Sequence, residues 1–309
     1  MLEVKDLSKN FGRVQAVKNV SFQVRKGEVF GFLGPNGAGK TTTMRIITCY
    51  IPASNGTILV DGYNTVEHDL DVRRRIGYLP EHNPLYTDMK VGEYLRYVGE
   101  IRGLKDSKLA ARLDEMVQVC ALSAMIDRPI GQLSKGFRQR VGLAQAMMHN
   151  PDLLILDEPS SGLDPNQIVE IRQLIKKIGE QKTIIYCSHI LSEVSATCNN
   201  ILIINNGSVV ATGSPAELMA KASTGNRYTA RIKADAAAVK TKLATVSGIT
   251  SVSAQAVENG FCVAAITVEG ADDFSEKLFK IIVDNGWSMA EFKRETASLE
   301  DVFTQLTRG

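Results

Sequence analysis

Residues 29–43, VFGFLGPNGAGKTTT, decide the fold, because they join a short apolar run, a glycine-rich loop and the start of a helix. Residues 34–42 match the pattern GxxxxGK[ST], in the setting between a strand and a helix that this pattern requires. Glycine and alanine let backbone N–H groups approach an anion without a Cβ clash, and the helix N-terminus adds a favourable dipole. The stretch therefore predicts a phosphate-binding loop rather than an ordinary glycine turn.

The loop also predicts its ligands, which are ATP and Mg²⁺. We expect nine consecutive residues to contact the nucleotide: Gly34, Pro35, Asn36, Gly37, Ala38, Gly39, Lys40, Thr41 and Thr42. In this pattern Lys40 reaches the β- and γ-phosphates, and the Thr41 hydroxyl binds Mg²⁺.

A second apolar run ends in two acids, in the sequence LLILDE at residues 153–158. Such a run predicts a buried strand that delivers Asp157 and Glu158 to the carboxyl edge of a parallel sheet, where sites in α/β proteins lie. Asp157 suits the Mg²⁺ shell, directly or through water, and Glu158 is placed to orient or deprotonate an attacking water. Beside a phosphate loop, the pair predicts nucleotide hydrolysis better than it fits a solvated acidic turn.

Residues 133–140, LSKGFRQR, resemble the LSGGQ signature of the ATP-binding subunits of ABC transporters, and the likeness extends over residues 1–218. Ser134 and Gly136 open a helix whose free N–H groups suit a γ-phosphate. In this family that phosphate belongs to the ATP of the other subunit, so the resemblance implies a head-to-tail dimer. Lys135 departs from the signature by adding a positive charge, and Phe137 departs by removing a side-chain amide.

Further segments follow the order of the same family. Residues 161–164, SGLD, resemble the loop that crosses the dimer interface, with Gly162 where alanine is more usual. His189 resembles the switch histidine that contacts the γ-phosphate, and Phe11 resembles the aromatic residue that stacks on adenine. Glu81 stands where a glutamine usually couples the nucleotide to the transporter, and its carboxylate can bind Mg²⁺ or a metal-bound water.

The pattern of strands and helices predicts a fold of two domains. Residues 1–220 alternate strands and helices, interrupted by a helical block over about 88–148, which indicates an α/β P-loop ABC ATPase domain with a mixed-sheet core. A small, polar stretch over 221–226 predicts a linker.

The remaining segment, 226–309, has the order βαββαβ followed by a helix over 298–306. Asn259-Gly260 between its middle strands indicates a hairpin. We therefore expect a small α+β, ferredoxin-like accessory or regulatory domain.

Composition and charge bear on the partners and the location of the protein. The net charge is only +2, with 36 basic and 34 acidic residues, so we expect no nucleic-acid partner. No apolar run approaches the roughly 18 residues that span a bilayer, so the permease would be a separate subunit. The N-terminus predicts a strand rather than a secretory signal, which favours a cytoplasmic protein, peripheral on the inner face of the cell membrane. The five scattered cysteines predict reduced, mostly buried thiols.

The leading interpretation is a transport-coupled ATPase that powers a separate permease. The sequence GYLPE at 77–81 and the signature variant resemble the two-component exporter branch, and within it the subunits associated with gliding motility. The alternative is a soluble ABC ATPase acting on ribosomes or another assembly, although such chains usually carry two sets of motifs. A chromosome ATPase would need a long coiled coil, and a plain P-loop kinase would leave the signature unexplained.

Overall fold

The computed structural model describes residues 1–222, 226–269, 274–295 and 303. Contacts divide the chain into two compact units, one over Met1–Pro215 and one that begins at Ala216. Within the described ranges, no helix combines the length and the apolar character needed to cross a membrane.

The first unit contains ten strands. They are β1 (Leu2–Phe11), β2 (Val14–Val24), β3 (Val29–Leu33), β4 (Asn55–Val60), β5 (Tyr63–Asn64), β6 (Ile76–Leu79), β7 (Leu153–Asp157), β8 (Thr183–Ser188), β9 (Asn200–Asn205) and β10 (Ser208–Gly213). Its helices are α1 (Lys40–Ile47), α2 (Asp69–Arg75), α3 (Val91–Ile101), α4 (Asp106–Val119), α5 (Lys135–Met147), α6 (Pro165–Gly179) and α7 (Leu191–Thr197), while α8 (Pro215–Ala222) begins at the boundary of the units.

Six strands form the central sheet in the order β10-β9-β3-β8-β7-β6. All neighbours are parallel except the antiparallel pair β9 and β10, so the predicted mixed sheet is confirmed. Every residue of β3, β7 and β8 is buried, as expected for strands covered on both faces. The carboxyl ends of β3, β7 and β8 therefore meet at one edge of the sheet.

A second, antiparallel sheet has the order β2-β1-β4-β5. Its apolar face shares one core with α1 and the central sheet, and the rings of Phe22 and Phe30 stack in that core with centroids 5.7 Å apart. Helices α3, α4 and α5 lie in the predicted helical block. The core thus holds the loop between β3 and α1 from both sides.

The second unit consists of β11 (Asn226–Lys233), α9 (Ala236–Ala244), β12 (Ile249–Ala256), β13 (Cys262–Val268), α10 (Ser275–Asp284) and β14 (Ser288–Glu295). Its strands form one antiparallel sheet in the order β12-β13-β11-β14. Both helices contribute to its core, through Val239 and Leu243 and through Leu278 and Ile282. Asn259 and Gly260 have φ values of 61° and 74° in the turn between β12 and β13, which confirms the predicted hairpin.

The structure differs from the sequence-based predictions in two places. The predicted linker over 221–226 begins within α8, which extends to Ala222 because its alanine, leucine and lysine residues favour a helix. Sequence patterns also missed α2, α7 and β10, which have only six or seven residues and too few buried positions for a clear period. The predicted helix over 298–306 lies outside the described residues except for Phe303, which is helical.

Candidate functional site

The glycine-rich loop follows β3 and leads directly into α1. Gly39 precedes the helix with a φ of 103°, and a Cβ on it would lie 2.6 Å from the backbone oxygen of Ala16 in β2. A Cβ on Gly34 would collide with the backbone oxygen of Ile204 in β9. Only glycine fits at these two positions, because the neighbouring strands lie against the loop on both sides.

Lys40 is the first residue of α1, and its side chain turns back across the loop. Its Nζ donates hydrogen bonds to the carbonyl oxygens of Gly34 at 2.8 Å and Pro35 at 3.2 Å. The same ammonium lies 3.2 Å from Glu158 Oε1, in an ion pair whose side chains are 6% and 7% exposed. The loop thus holds a buried positive charge opposite the end of β7.

A cleft of about 390 Å³ opens at this point. It is lined by Ala16, Asn36, Gly37, Gly39, Lys40, Thr41, Thr42, Glu81 and Glu158. Most of the residues predicted to bind the nucleotide phosphates therefore meet Glu81 and Glu158 at one site. Three loop residues lie outside the lining: Gly34 packs against β9, the oxygen of Pro35 accepts from Lys40, and Ala38 is buried in the core.

Glu158 follows β7 and is held from three directions. Its backbone N–H donates to the Cys187 oxygen at 3.0 Å, its Oε1 faces Lys40, and its Oε2 lies 2.9 Å from His189 Nδ1. His189 reaches this carboxylate because it follows β8, the parallel neighbour of β7. Glu158 also has a φ of 50°, which is uncommon for a residue with a side chain and is typical of functional sites.

Asp157, the last residue of β7, has a fully buried side chain. Burial raises the pKa of its carboxyl above the ordinary value, and the Thr41 hydroxyl lowers it in part. The Tyr78 hydroxyl donates to Oδ2 at 3.4 Å, while Oδ1 is buried without a hydrogen-bond partner. An unpartnered, buried carboxylate oxygen beside Thr41 fits a bound cation.

No group of three His, Cys, Asp or Glu side chains among the described residues is arranged to hold a metal by itself. A magnesium ion at Asp157 and Thr41 would therefore need oxygen ligands from phosphate or water, as Mg²⁺ in nucleotide sites commonly has.

The signature segment lies at the start of α5, outside the lining of this cleft. Ser134 is exposed and caps the helix, accepting a hydrogen bond from the Phe137 N–H at 3.3 Å. Gly136 packs against Gln167 of α6, whose side chain would lie 3.0 Å from a Cβ at that position. Within its own chain, the signature is thus fixed to α6 and is not part of the phosphate cleft.

Two of the departures from the family pattern, Lys135 and Gly162, lie side by side. Gly162 has a φ of 67°, and a methyl group on it would overlap with the ammonium group of Lys135. The lysine of the signature therefore occupies the space that an alanine side chain would need in the loop 161–164. No pattern in the sequence predicts this contact.

Phe11 ends β1 at the hairpin that leads to Ala16, and its ring is 50% exposed. The ammonium of Lys9 lies 5.2 Å from the ring centroid. Phe11 does not belong to the lining of the phosphate cleft. Its exposed ring remains free to stack on a flat ligand.

One acidic residue close to the site, Glu193 on α7, was not predicted from the sequence. Its side chain is buried and accepts hydrogen bonds from Ser160, Tyr186 and Ser188. The available signal was an acid that follows His189 by four residues within a largely apolar stretch.

Comparisons with known proteins agree with this geometry. The family model for ABC transporters matches residues 17–161. The uncharacterised ABC transporter ATP-binding protein YxlF of Bacillus subtilis is 34% identical over 310 residues, covering 100% of both chains. The Nod factor export ATP-binding protein I of Cupriavidus metallidurans is 34% identical over 220 residues, covering 71% of this chain and 73% of that protein.

Among solved structures, a dimeric, post-hydrolysis structure of the ATP-binding cassette MJ0796, bound to ADP and Pi, matches with a TM-score of 0.63 and 26% identity. The match covers 69% of this chain and 98% of that one. With its phosphate loop, acidic strand end and these relatives, the chain belongs to the ATP-binding subunits of ABC transporters, and is an ATPase that powers a permease.

Proposed function

We propose that this subunit hydrolyses ATP in a head-to-tail dimer, with Glu158 as the base, and drives a separate export permease. The observation that carries the proposal is the convergence on Glu158. Lys40 from the phosphate loop and His189 from the end of β8 contact its two carboxylate oxygens at 3.2 Å and 2.9 Å. Three segments distant in sequence thus meet at one buried carboxylate.

In this proposal the phosphates occupy the cleft in front of Lys40. Backbone N–H groups of the loop and the N-terminus of α1 bind the phosphate oxygens. Lys40 changes partner, because a triphosphate carries more negative charge than one carboxylate and accepts charge-assisted hydrogen bonds. The exchange releases Glu158 Oε1 for water. Phe11 stacks on the adenine.

Magnesium fits the same site. Thr41, Asp157 and, at the edge of the cleft, Glu81 supply the protein oxygen atoms, and the unpartnered Oδ1 of Asp157 supports this assignment. When bound, Mg²⁺ neutralises charge on the phosphate oxygens.

Hydrolysis then depends on Glu158 and His189. Glu158 orients the attacking water and accepts its proton, while His189 fixes the second carboxylate oxygen. The contact of His189 with the γ-phosphate is proposed on the resemblance to the switch histidine of the family. Because Glu158 is still held by its backbone hydrogen bond and by His189 after Lys40 has turned to the phosphates, its carboxylate needs little reorganisation during the reaction.

The dimer supplies the second half of the site. Ser134 and Gly136 present a helix N-terminus that the cleft of their own chain leaves unused, so we propose that they serve the ATP of the partner subunit. The dimeric MJ0796 cassette supports this arrangement. Loop 161–164 would cross the interface between the subunits.

We further propose that transport is directed outward and that the subunit works in the cytoplasm, peripheral on the inner membrane face. The similarity to a Nod factor export protein supports export. Membership of the gliding-motility group is proposed on sequence resemblance. Purification of the tagged chain in detergent should recover a multi-span membrane protein; recovery of ribosomes alone would contradict the proposal.

For the domains we propose an ATP-binding domain over 1–220 and a ferredoxin-like regulatory or dimerisation domain over 226–309. The order β12-β13-β11-β14 with α9 and α10 supports this fold assignment. The separate core of the second unit supports its folding as an independent domain.

Glu158→Gln tests the central proposal. Glutamine keeps the size of the side chain and removes the base, so turnover should fall by about 10²- to 10⁴-fold while ATP binding persists. With ATP and Mg²⁺, the variant should elute as a stable dimer in size-exclusion chromatography. The matched control is Glu67→Gln, at an exposed acid. Wild-type turnover in Glu158→Gln would remove Glu158 from the catalytic role.

A further inference from the structure

A buried carboxylate joins the two segments on either side of the catalytic pair. Glu193 of α7 is 4% exposed, and its Oε2 accepts hydrogen bonds from Ser160 Oγ at 2.6 Å and Ser188 Oγ at 3.1 Å. A third hydrogen bond comes from the Tyr186 hydroxyl at 3.1 Å. Burying a carboxylate is unfavourable unless hydrogen bonds replace its hydration. The three hydroxyls provide that replacement at Oε2, whereas Oε1 is buried without a hydrogen-bond partner among the described residues.

The direction of the Ser188 hydrogen bond follows from its other partner. Ser188 Oγ accepts a hydrogen bond from the Ile190 N–H at 3.0 Å, so its own hydrogen is directed to Glu193. Ser188 and Ile190 flank His189 in the chain. The backbone on both sides of the histidine is therefore fixed through one hydroxyl to one carboxylate oxygen.

The Ser160 hydrogen bond acts on the other side of the site. Ser160 follows Glu158 by two residues and directly precedes the loop 161–164. The turn after Glu158 closes with a hydrogen bond from the Ser161 N–H to the backbone oxygen of Glu158 at 3.1 Å. Glu193 thus restrains both the turn that follows Glu158 and the histidine that contacts it.

Helix α7 is itself held tightly against the strand that precedes the phosphate loop. A Cβ on Gly31 of β3 would overlap with the Val194 side chain, and it would lie 3.2 Å from Cys198 Sγ. Burial and the neighbouring carboxylate raise the pKa of Tyr186, so its hydroxyl stays a donor at neutral pH. Helix α7, which carries Glu193, is therefore packed against β3, the strand that leads into the phosphate loop.

We propose that Glu193 is a positioning residue for hydrolysis, which sets His189 and the 160–164 turn relative to Glu158. This inference rests on the proposed roles of Glu158 and His189. It predicts an effect on the chemical step and not on nucleotide binding, because the phosphate cleft contains neither Glu193 nor its three partners.

The first test compares Glu193→Ala with Glu193→Gln. Glu193→Ala should lower kcat about tenfold, with KM for ATP within about twofold, since misplaced catalytic groups slow the reacting step. Glu193→Gln retains one oxygen acceptor and should fall between Glu193→Ala and the wild type. The exposed Glu180, changed to Gln, is the control. Wild-type kcat in Glu193→Ala would overturn the inference.

The second test is a double-mutant cycle with Ser188→Ala, which cuts only the branch to the histidine. If Glu193 acts through Ser188, Ser188→Ala should lower kcat in the wild-type background and have little further effect in Glu193→Ala. Losses in kcat that simply multiply would overturn the connection.

Thermal denaturation separates a loss of stability from a loss of turnover, and the variants Glu158→Gln and His189→Ala test the proposed function independently. If Glu193→Ala does not fold, Ser188→Ala and Tyr186→Phe decide, because each removes one hydroxyl and leaves the carboxylate in place. Loss of melting temperature at unchanged kcat per folded molecule would overturn the inference in favour of a structural role. Wild-type turnover in Glu158→Gln and His189→Ala would instead refute the proposed function itself.

Discussion

The phosphate cleft and the signature segment belong to the same unit, yet they differ in how many of their polar side chains have partners within one chain. At the cleft, Lys40 and Glu158 are buried, paired with each other and connected to His189. At the signature, Ser134 is exposed, and among the described residues its side chain makes one hydrogen bond, which caps its own helix. The difference supports the proposal that the cleft binds the phosphates with residues of one chain and that the signature serves a second subunit.

The largest effect should come from the cleft, with Lys40→Ala. The change removes a buried charge that faces the phosphates, and charge-assisted hydrogen bonds contribute about 1.5–3 kcal/mol each. ATP affinity should fall roughly 100-fold. Fluorescent nucleotide titration measures it, with the exposed Lys26→Ala as the control. Unchanged affinity would contradict the cleft as the phosphate site.

A smaller effect, on turnover alone, should follow from Ser134→Arg. ATP should still bind, but hydrolysis should fall about 30-fold because the long side chain blocks the partner's γ-phosphate, equivalent to about 2 kcal/mol in the barrier. Loss of the cap adds about 1 kcal/mol of helix destabilisation, so melting temperature is measured alongside. Ser123→Arg, at another exposed serine that starts a short helical turn, is the control.

Mixing the two variants sharpens the comparison. In a heterodimer of Lys40→Ala and Ser134→Arg subunits, one site combines both defects and the other has an intact loop and an intact signature. Activity should therefore return in the mixture, up to one site of two. No recovery at any ratio, with heterodimers demonstrated, would argue against head-to-tail sharing of the site.

An intermediate effect is expected where the signature and the interface loop touch. Gly162→Ala should lower the ATPase rate about fivefold, because a positive φ costs about 1–2 kcal/mol for a side-chain-bearing residue and the methyl group would displace the end of the Lys135 side chain. In a Lys135→Ala background, the additional loss should be smaller, since only the backbone cost remains. Equal losses in both backgrounds would show that the contact has no effect on the rate.

The smallest effect on nucleotide binding should come from removing residues 223–309, which include the antiparallel sheet of the second unit. Truncation after Ala222 keeps α8 whole and should change ATP affinity less than about twofold, while altering the ATPase rate or the lifetime of the dimer. Calorimetry and size-exclusion chromatography measure these quantities. A truncated chain that is folded by circular dichroism but fails to bind ATP would contradict the proposed domain boundary.

Sequence patterns predicted the elements that carry long apolar runs or special backbone geometry. The buried strand predicted from the apolar run at 153–158 is β7, and the glycines at 34 and 39 are required where the loop meets its neighbours. In both cases the requirement is local, because a strand buried on both faces needs apolar residues and a left-handed position needs glycine.

Contacts between distant segments could not be read in the same way. Glu193 belongs to a short helix and resembles a surface acid, and its role appears only when β8 brings Tyr186 and Ser188 beside it. The contact of Lys135 with Gly162 likewise depends on how α5 packs beside α6. Such pairs follow from tertiary packing, for which a single sequence carries no periodic signal.

The contact between Lys135 and Gly162 also has a consequence for exchanging segments between related subunits. Alanine at 162 would require the flexible, exposed end of the Lys135 side chain to turn away, whereas a short side chain at 135 would leave room for it. Residues 135 and 162 should therefore be transferred together when the signature of this subunit is placed in a relative.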